Sequence, residues 1–271
     1  MIHISFFNAC LVVQIFTELC PISSSGHIVL FQAFVTDFFL HNGMNTNPPF
    51  LCALIQLAHL VTAGQICFFY RKNIMHLNKK TLYRLFPSGI HYIGPIIAAD
   101  LVTATFFIFK RYVQVSSDYV VVGFALTGII LCAQQLLSKY VHTNNNQLSY
   151  AQGIILGLAQ GLAFFPGLSR LAMVFSAARL LGLSTRAAFA LSWIIYIPLI
   201  LGSSLIAVLS LICNSFLTTS ELIIYILTSI GAGILSYPIL CNVYLLAQEE
   251  KLWYFSVYLL VPFLLALLHR N

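Results

Sequence analysis

Residues Gln14 to His27 read QIFTELCPISSSGH, a run that sets a carboxylate, three serine hydroxyls, a glycine and an imidazole inside an otherwise apolar chain. A carboxylate at membrane depth costs about 3 kcal/mol on insertion scales unless it is paired, hydrated or metal-bound, so Glu18 needs a compensating group. Taken singly, Glu18 reads equally well as an interfacial or helix-capping residue, and His27 as an ordinary hydrogen-bonding side chain. The cluster is what points to chemistry. Gln14 and Glu18 are four apart, so on a helix they stack on one face and can turn two oxygens toward one cation. Pro21 stops that helix. Ser23, Ser24, Ser25 and Gly26 then supply small donors and a permissive backbone suited to a tight turn that offers N–H groups to phosphate oxygens, with His27 just beyond. A carboxylate for a metal, donors for phosphate and a titratable imidazole together suit metal-assisted phosphoryl transfer.

The remainder of the chain sets where that cluster lives. Across 271 residues, 60% are hydrophobic and only 7% charged, and the mean hydropathy is +0.92, which leaves too little polar surface for a water-soluble domain. The apolar runs are continuous over about 17–25 residues, the helical spanning length, and do not alternate as barrel strands would. An all-α integral membrane protein is expected. The net charge of +6 comes without a long basic tract, so it reads as topology information and nucleic acid is not expected as a partner. Seven cysteines stand singly in apolar segments with no C-x-x-C pair, and read as small buried hydrophobes. The first residues, MIHISFFNACLVV, carry no Lys or Arg ahead of the apolar run and no clear cleavage site, so they are expected to remain as structure.

Read in order, Ile4 to Cys20 and Ile28 to Leu40 are two short apolar arms around the polar tip, a pattern that predicts a re-entrant hairpin. The connection His41 to Pro49 is polar. Spans are expected at Phe50–Tyr70, Ile90–Phe109 and Tyr119–Ser138, with Arg71, Lys72, Lys79, Lys80 and Arg84 marking a cytoplasmic loop and Lys139–Ser149 a return to that side. The pattern then recurs. Tyr150 to Phe165 breaks at Pro166-Gly167-Leu168-Ser169-Arg170 and resumes from Leu171 to Leu183, and spans follow at Ala187–Leu211, Leu222–Leu246 and Leu252–His269. Each half thus holds one hairpin and three spans, and an odd number of crossings turns the second half over. The expectation is six spanning helices plus two re-entrant hairpins in an inverted-topology repeat, 1–149 and 150–271, forming one membrane domain. Gln14, Pro21 and the serines match Gln160, Pro166 and Ser169 in order.

Hairpins dipping from opposite faces bring their tips together near the midplane. Glu18, the serines and His27 then face Ser169 and Arg170, an acid opposite a guanidinium fork able to hold phosphate bidentately. His59, Gln65 and His91 read as packing or interfacial residues, and Asp100 as a packing or proton-coupling acid.

These motifs resemble the undecaprenyl-diphosphate phosphatases of the bacitracin-resistance type. Gln14-Ile-Phe-Thr-Glu18 meets the family's (E/Q)-x-x-x-E hallmark, Pro21 to His27 resembles its proline, serine and glycine-histidine run, and Leu54-Ile55-Gln56-Leu57 with Tyr70-Arg71-Lys72 is also similar. Pro166 to Arg170 meets the first part of P-G-x-S-R-S-x-x-T, whereas Leu171 replaces the second serine and Val174 the threonine, removing two hydroxyls from that tip. The resemblance implies a bacterial inner-membrane enzyme that hydrolyses a polyprenyl diphosphate to the monophosphate, recycling the carrier for peptidoglycan synthesis and conferring bacitracin resistance. It implies a site open to the periplasmic side and Mg2+ or Ca2+ as cofactor. Glu18 with Gln14 would hold the metal, with Glu18, His27, Ser24 and Arg170 catalytic, and Ser23, Ser25, Gly26, Gly167, Ser169 and Arg170 on the substrate.

The spacing leaves the attack open: His27 deprotonating a water, acting as nucleophile, or activating Ser24. An inverted-repeat secondary transporter or lipid translocase is the alternative from another class, and a lipid-binding scaffold without turnover a third. Lipids are the expected partners, and a homodimer is one option for assembly.

Overall fold

The computed structural model describes residues 2–39, 48–71, 92–110, 119–141, 148–214 and 218–269. Among these residues there is no strand; helices run at α1 (Ile2–Glu18), α2 (Ser24–Phe39), α3 (Pro48–Phe69), α4 (Ile93–Lys110), α5 (Tyr119–Leu137), α6 (Tyr150–Leu162), α7 (Arg170–Leu180), α8 (Thr185–Ile194), α9 (Tyr196–Asn214), α10 (Thr219–Gln248) and α11 (Tyr254–His269). Four stretches are long and apolar enough to cross a bilayer: Phe50–Phe69, Tyr119–Tyr140, Thr185–Cys213 and Thr219–Gln248. Shorter apolar helices lie at Phe6–Glu18, Ser24–Val35, Ile93–Phe109 and Tyr254–His269. The outer surface matches lipid and not water: Leu101, Phe109, Ile234, Leu235 and Leu268 are each at least 65% exposed. The molecule is an all-helical membrane protein. Of the charges expected to mark the cytoplasmic loop, Lys72, Lys79, Lys80 and Arg84 lie outside the described residues, as do His91 and residues 41–47 of the first connection.

Both polar breaks interrupt a helix as their sequences require, but the first is shorter than expected. The backbone leaves the helix only over 19–23, and Ser24, Ser25, Gly26 and His27 form the first turn of α2. Ser23 is the reason. It adopts φ +66°, and its Oγ accepts the Gly26 N–H at 3.3 Å, so a side chain satisfies a donor that an uncapped helix start would leave open. At the second break, Ser169 does the same for α7 by accepting the Ala172 N–H at 3.3 Å. The same sequence spacing separates Gln14 from Gln160 and Ser23 from Ser169, and each serine immediately precedes the second arm of its hairpin.

The expected span Ala187–Leu211 is also broken, at Ile195, between α8 and α9. Pro198 has no N–H to give the Ile194 carbonyl one turn back, so the helix cannot run through unchanged. The neighbouring Ile195 carbonyl accepts from Gln160 Nε2 at 3.1 Å, which ties the break to α6.

Packing brings the halves together. α1 lies against α10 and α6 against α4; α2 reaches α11 and α7 reaches α5; α3 pairs with α9 and α5 with α11. The two breaks touch. A Cβ added to Gly26 would sit 2.7 Å from Phe124 Cζ and 2.9 Å from Gly167 Cα, and Gly167 itself has φ +89°. Only glycine fits both demands, close approach at one tip and left-handed backbone at the other.

Candidate active site

The last turn of α1 carries Gln14 and Glu18 on one face, both buried. Glu18 is met by five side chains. Gln14 Nε2 donates to Oε2 at 2.5 Å, and Ser24 Oγ donates to the same oxygen at 2.5 Å. The Tyr196 hydroxyl donates to Oε1, and Arg170 Nη1 stands 3.6 Å from that oxygen. His59 Nδ1 lies 3.6 Å from Oε2, 3.3 Å from Gln14 Nε2 and 3.0 Å from the Tyr196 hydroxyl. A carboxylate so surrounded keeps its charge compensated in an apolar interior.

Arg170 is the first residue of α7, and its guanidinium carbon sits 3.7 Å from the centre of the Tyr196 ring. Its Nε and Nη1 are buried and have no hydrogen-bond partner among the described residues. Nη1 thus has the Glu18 carboxylate at ion-pair distance without a hydrogen bond and Nε has no acceptor, which leaves both donors open to an added one. They line a cavity of about 470 Å³ shared with Gln14, Glu18, Ser23, Ser24, Ser25, His59, Ser169 and Tyr196, and with the apolar side chains of Val29, Ile55, Phe107, Phe164 and Leu199. The lining thus combines charged and hydroxyl-bearing side chains with apolar ones, a composition that fits a polar head on a hydrocarbon chain.

The structure brings Gln14, Glu18, Ser23, Ser24, Ser25, Ser169 and Arg170 to this cavity and leaves three of the expected residues off its walls. Gly26 and Gly167 lie between the tips. His27 turns the other way: Nδ1 is 2.8 Å from the Ser23 carbonyl, Nε2 is 3.0 Å from the Tyr258 hydroxyl, and the ring stacks on Tyr258 and packs edge-on to Phe124. The imidazole that does face Glu18 is His59, which the sequence presents only as a polar residue in an apolar span. Tyr196 was likewise hidden in an apolar run, its one signal being the nearby Pro198. Of the two departures in the second hallmark, Leu171 lines the cavity while Val174 is fully buried in the core, so only the first changes the wall.

Glu18 and Ser24 offer a carboxylate and a hydroxyl, hard oxygen donors of the kind Mg2+ or Ca2+ takes, whereas Gln14 turns its amide nitrogen, a donor, toward both of them. No group of three His, Cys, Asp or Glu side chains able to hold a metal occurs among the described residues.

Fold and cavity together define a class: a helical membrane protein with an acid, a hydroxyl and a guanidinium facing one another where two helix breaks meet. The family model of Bacitracin resistance protein BacA matches residues 9–264, and the chain belongs to that family. Similar proteins include Undecaprenyl-diphosphatase 1 of Shouchella clausii, 25% identical over 96% of this chain and 94% of the relative. The Undecaprenyl-diphosphatase of Macrococcus caseolyticus is 28% identical over 92% and 89%, and that of Carboxydothermus hydrogenoformans 29% over 91% and 89%.

Proposed function

We propose that this protein is an undecaprenyl-diphosphatase, hydrolysing undecaprenyl diphosphate to undecaprenyl phosphate and inorganic phosphate in the bacterial inner membrane, from a cavity open to the periplasmic side. The observation that carries the reading is the Arg170 guanidinium, whose buried and unpaired N–H groups face the Glu18–Ser24 pair across an apolar-walled cavity. Arg170 holds the terminal phosphate through Nε and Nη1 and stabilises the charge that develops on it. Ser24 Oγ, already hydrogen-bonded to Glu18, is the nucleophile, and its proton passes to the carboxylate, which Gln14 keeps in place. A Ser24 O–P bond forms as the bond to the bridging oxygen breaks, undecaprenyl phosphate leaves, and water then cleaves the phosphoserine to release phosphate. Val29, Ile55, Phe107, Phe164 and Leu199 receive the first isoprene units. Glu18, and Gln14 with its amide turned to present Oε1, are the residues that would hold Mg2+ or Ca2+, which would supply neutralisation of phosphate charge when bound.

The same reading places six spans and two re-entrant hairpins in an inverted repeat of 1–149 and 150–271. Its support is the reciprocal packing, in which the first arm of each hairpin lies on the middle span of the other half, α1 on α10 and α6 on α4, and the second arms on the last spans. Asp100, the acid that gave a carrier its appeal, is not on the cavity wall. Phosphate release from undecaprenyl diphosphate by purified protein in detergent, without any gradient, tests the activity; Glu18→Ala and Arg170→Ala should each abolish it. Full activity in either variant removes that residue from the mechanism.

A further inference from the structure

An arginine and a glutamate facing each other in a low-dielectric cavity ordinarily close into a fork of two short bonds, about 2.7–2.9 Å each. Arg170 and Glu18 do not. Their nearest approach is 3.6 Å, and the guanidinium keeps Nε and Nη1 unpaired. What stands at the junction is Tyr196. Its hydroxyl occupies Glu18 Oε1, the oxygen nearest Arg170, and its ring lies flat beneath the guanidinium at 3.7 Å. The ring is itself held: Tyr196 is 3% exposed, packs against Trp193 and edge-on to His59, and opens α9 directly after the break whose Ile195 carbonyl is bonded to Gln160.

We infer that Tyr196 is a positioning residue that keeps Arg170 and Glu18 from closing on each other, so that the guanidinium N–H groups stay available to a phosphate and the carboxylate stays available to Ser24. One side chain does both by engaging the acid with its hydroxyl and the base with its ring face. Without the hydroxyl, Oε1 is left without its donor and Arg170 moves onto it; the phosphate must then break an ion pair in order to bind. The cost falls on substrate binding. Tyr196 need not touch the substrate for this.

The inference rests on the phosphatase reading for its substrate, and its test separates the two. Tyr196→Phe keeps the ring and loses the hydroxyl; Tyr196→Leu loses both. For Tyr196→Phe, KM for undecaprenyl diphosphate should rise about tenfold while kcat stays within about threefold, and inhibition by methylenediphosphonate should weaken by a similar factor. Tyr196→Leu should raise KM further. In an Arg170→Lys background, where no planar guanidinium remains to be held, Tyr196→Phe should add little, whereas a residue serving only to hold the helices would add its full effect. Unchanged KM and inhibition in both Tyr196 variants overturns the inference, as does a fall in kcat alone. If the wild-type protein releases no phosphate, the phosphatase reading fails by itself. Calorimetric binding of methylenediphosphonate to the full chain in micelles then decides: about tenfold weaker in Tyr196→Phe upholds the positioning role, and equal affinity refutes it. Should Tyr196→Phe not fold, Tyr196→Leu and Tyr196→Trp, which also lack the hydroxyl, serve in the same assays.

Discussion

Gly26→Ala adds one methyl group where the two helix breaks meet, and the structure says what it strikes. The new Cβ would lie 2.7 Å from Phe124 Cζ and 2.9 Å from Gly167 Cα, both well inside contact distance. Phe124 is fully buried on α5, so its ring has nowhere to retreat. Gly167 yields no more easily, because it is backbone at φ +89° and its carbonyl is bonded to Thr127 Oγ1 at 2.9 Å. Overpacking of this kind costs about 1–3 kcal/mol. Part of that cost is relieved by moving the tips apart, and a displacement on the order of 1 Å between groups that must act together lowers turnover about a hundredfold. Thermal unfolding and phosphate release, measured on the same purified sample, check both effects. Wild-type stability together with wild-type turnover in Gly26→Ala would refute the contact between the tips, and with it the reason Glu18 meets Arg170.

Thr127→Val should loosen the second tip, because Thr127 Oγ1 shares its proton between the Gly123 and Gly167 carbonyls, each at 2.9 Å, and accepts the Ser169 N–H at 3.0 Å. Leaving those buried groups unpaired costs about 1–3 kcal/mol, and Thr127→Ser should restore stability and phosphate release where valine does not. His27→Phe keeps the ring contacts with Phe124 and Tyr258 and loses two hydrogen bonds outside the cavity, so phosphate release should stay within about tenfold of wild type. His59→Leu removes the imidazole that faces Glu18 and should cost more; the opposite order of the two histidine variants in the same assay would contradict the placement.

Composition and hydropathy made the helical membrane class legible, and Pro21 and Pro166 marked where two helices break. Glu18 and Arg170 were legible as a pair because a lone charge in an apolar chain demands an opposite one. Which face of an apolar helix turns inward was not legible. His59 lies in a span that also carries Gln56, Thr62 and Gln65, spaced three apart so that they drift round the helix, and the pattern does not single out which of them faces Glu18. Tyr196 follows a break that Pro198 causes within a run otherwise read as one continuous span. His27 illustrates the reverse. As part of a flexible tip it would have been free to join the serines, but α2 begins at Ser24, and helical geometry carries the imidazole to Tyr258 while Ser24 stays on the cavity wall. The start of one helix, displaced by a few residues, changes which imidazole is at hand.

The central claim is that a phosphate sits between the two breaks, against Arg170 and beside Ser24. An experimental structure of the full chain with a methylene analogue of a polyprenyl diphosphate tests it most directly. The terminal phosphonate is expected within hydrogen-bond distance, about 2.7–3.2 Å, of Arg170 Nε and Nη1, with Ser24 Oγ next to phosphorus and the prenyl chain along Phe107 and Phe164. A phosphonate bound on the His27 and Tyr258 side of α2, with Arg170 still unpaired, would contradict it.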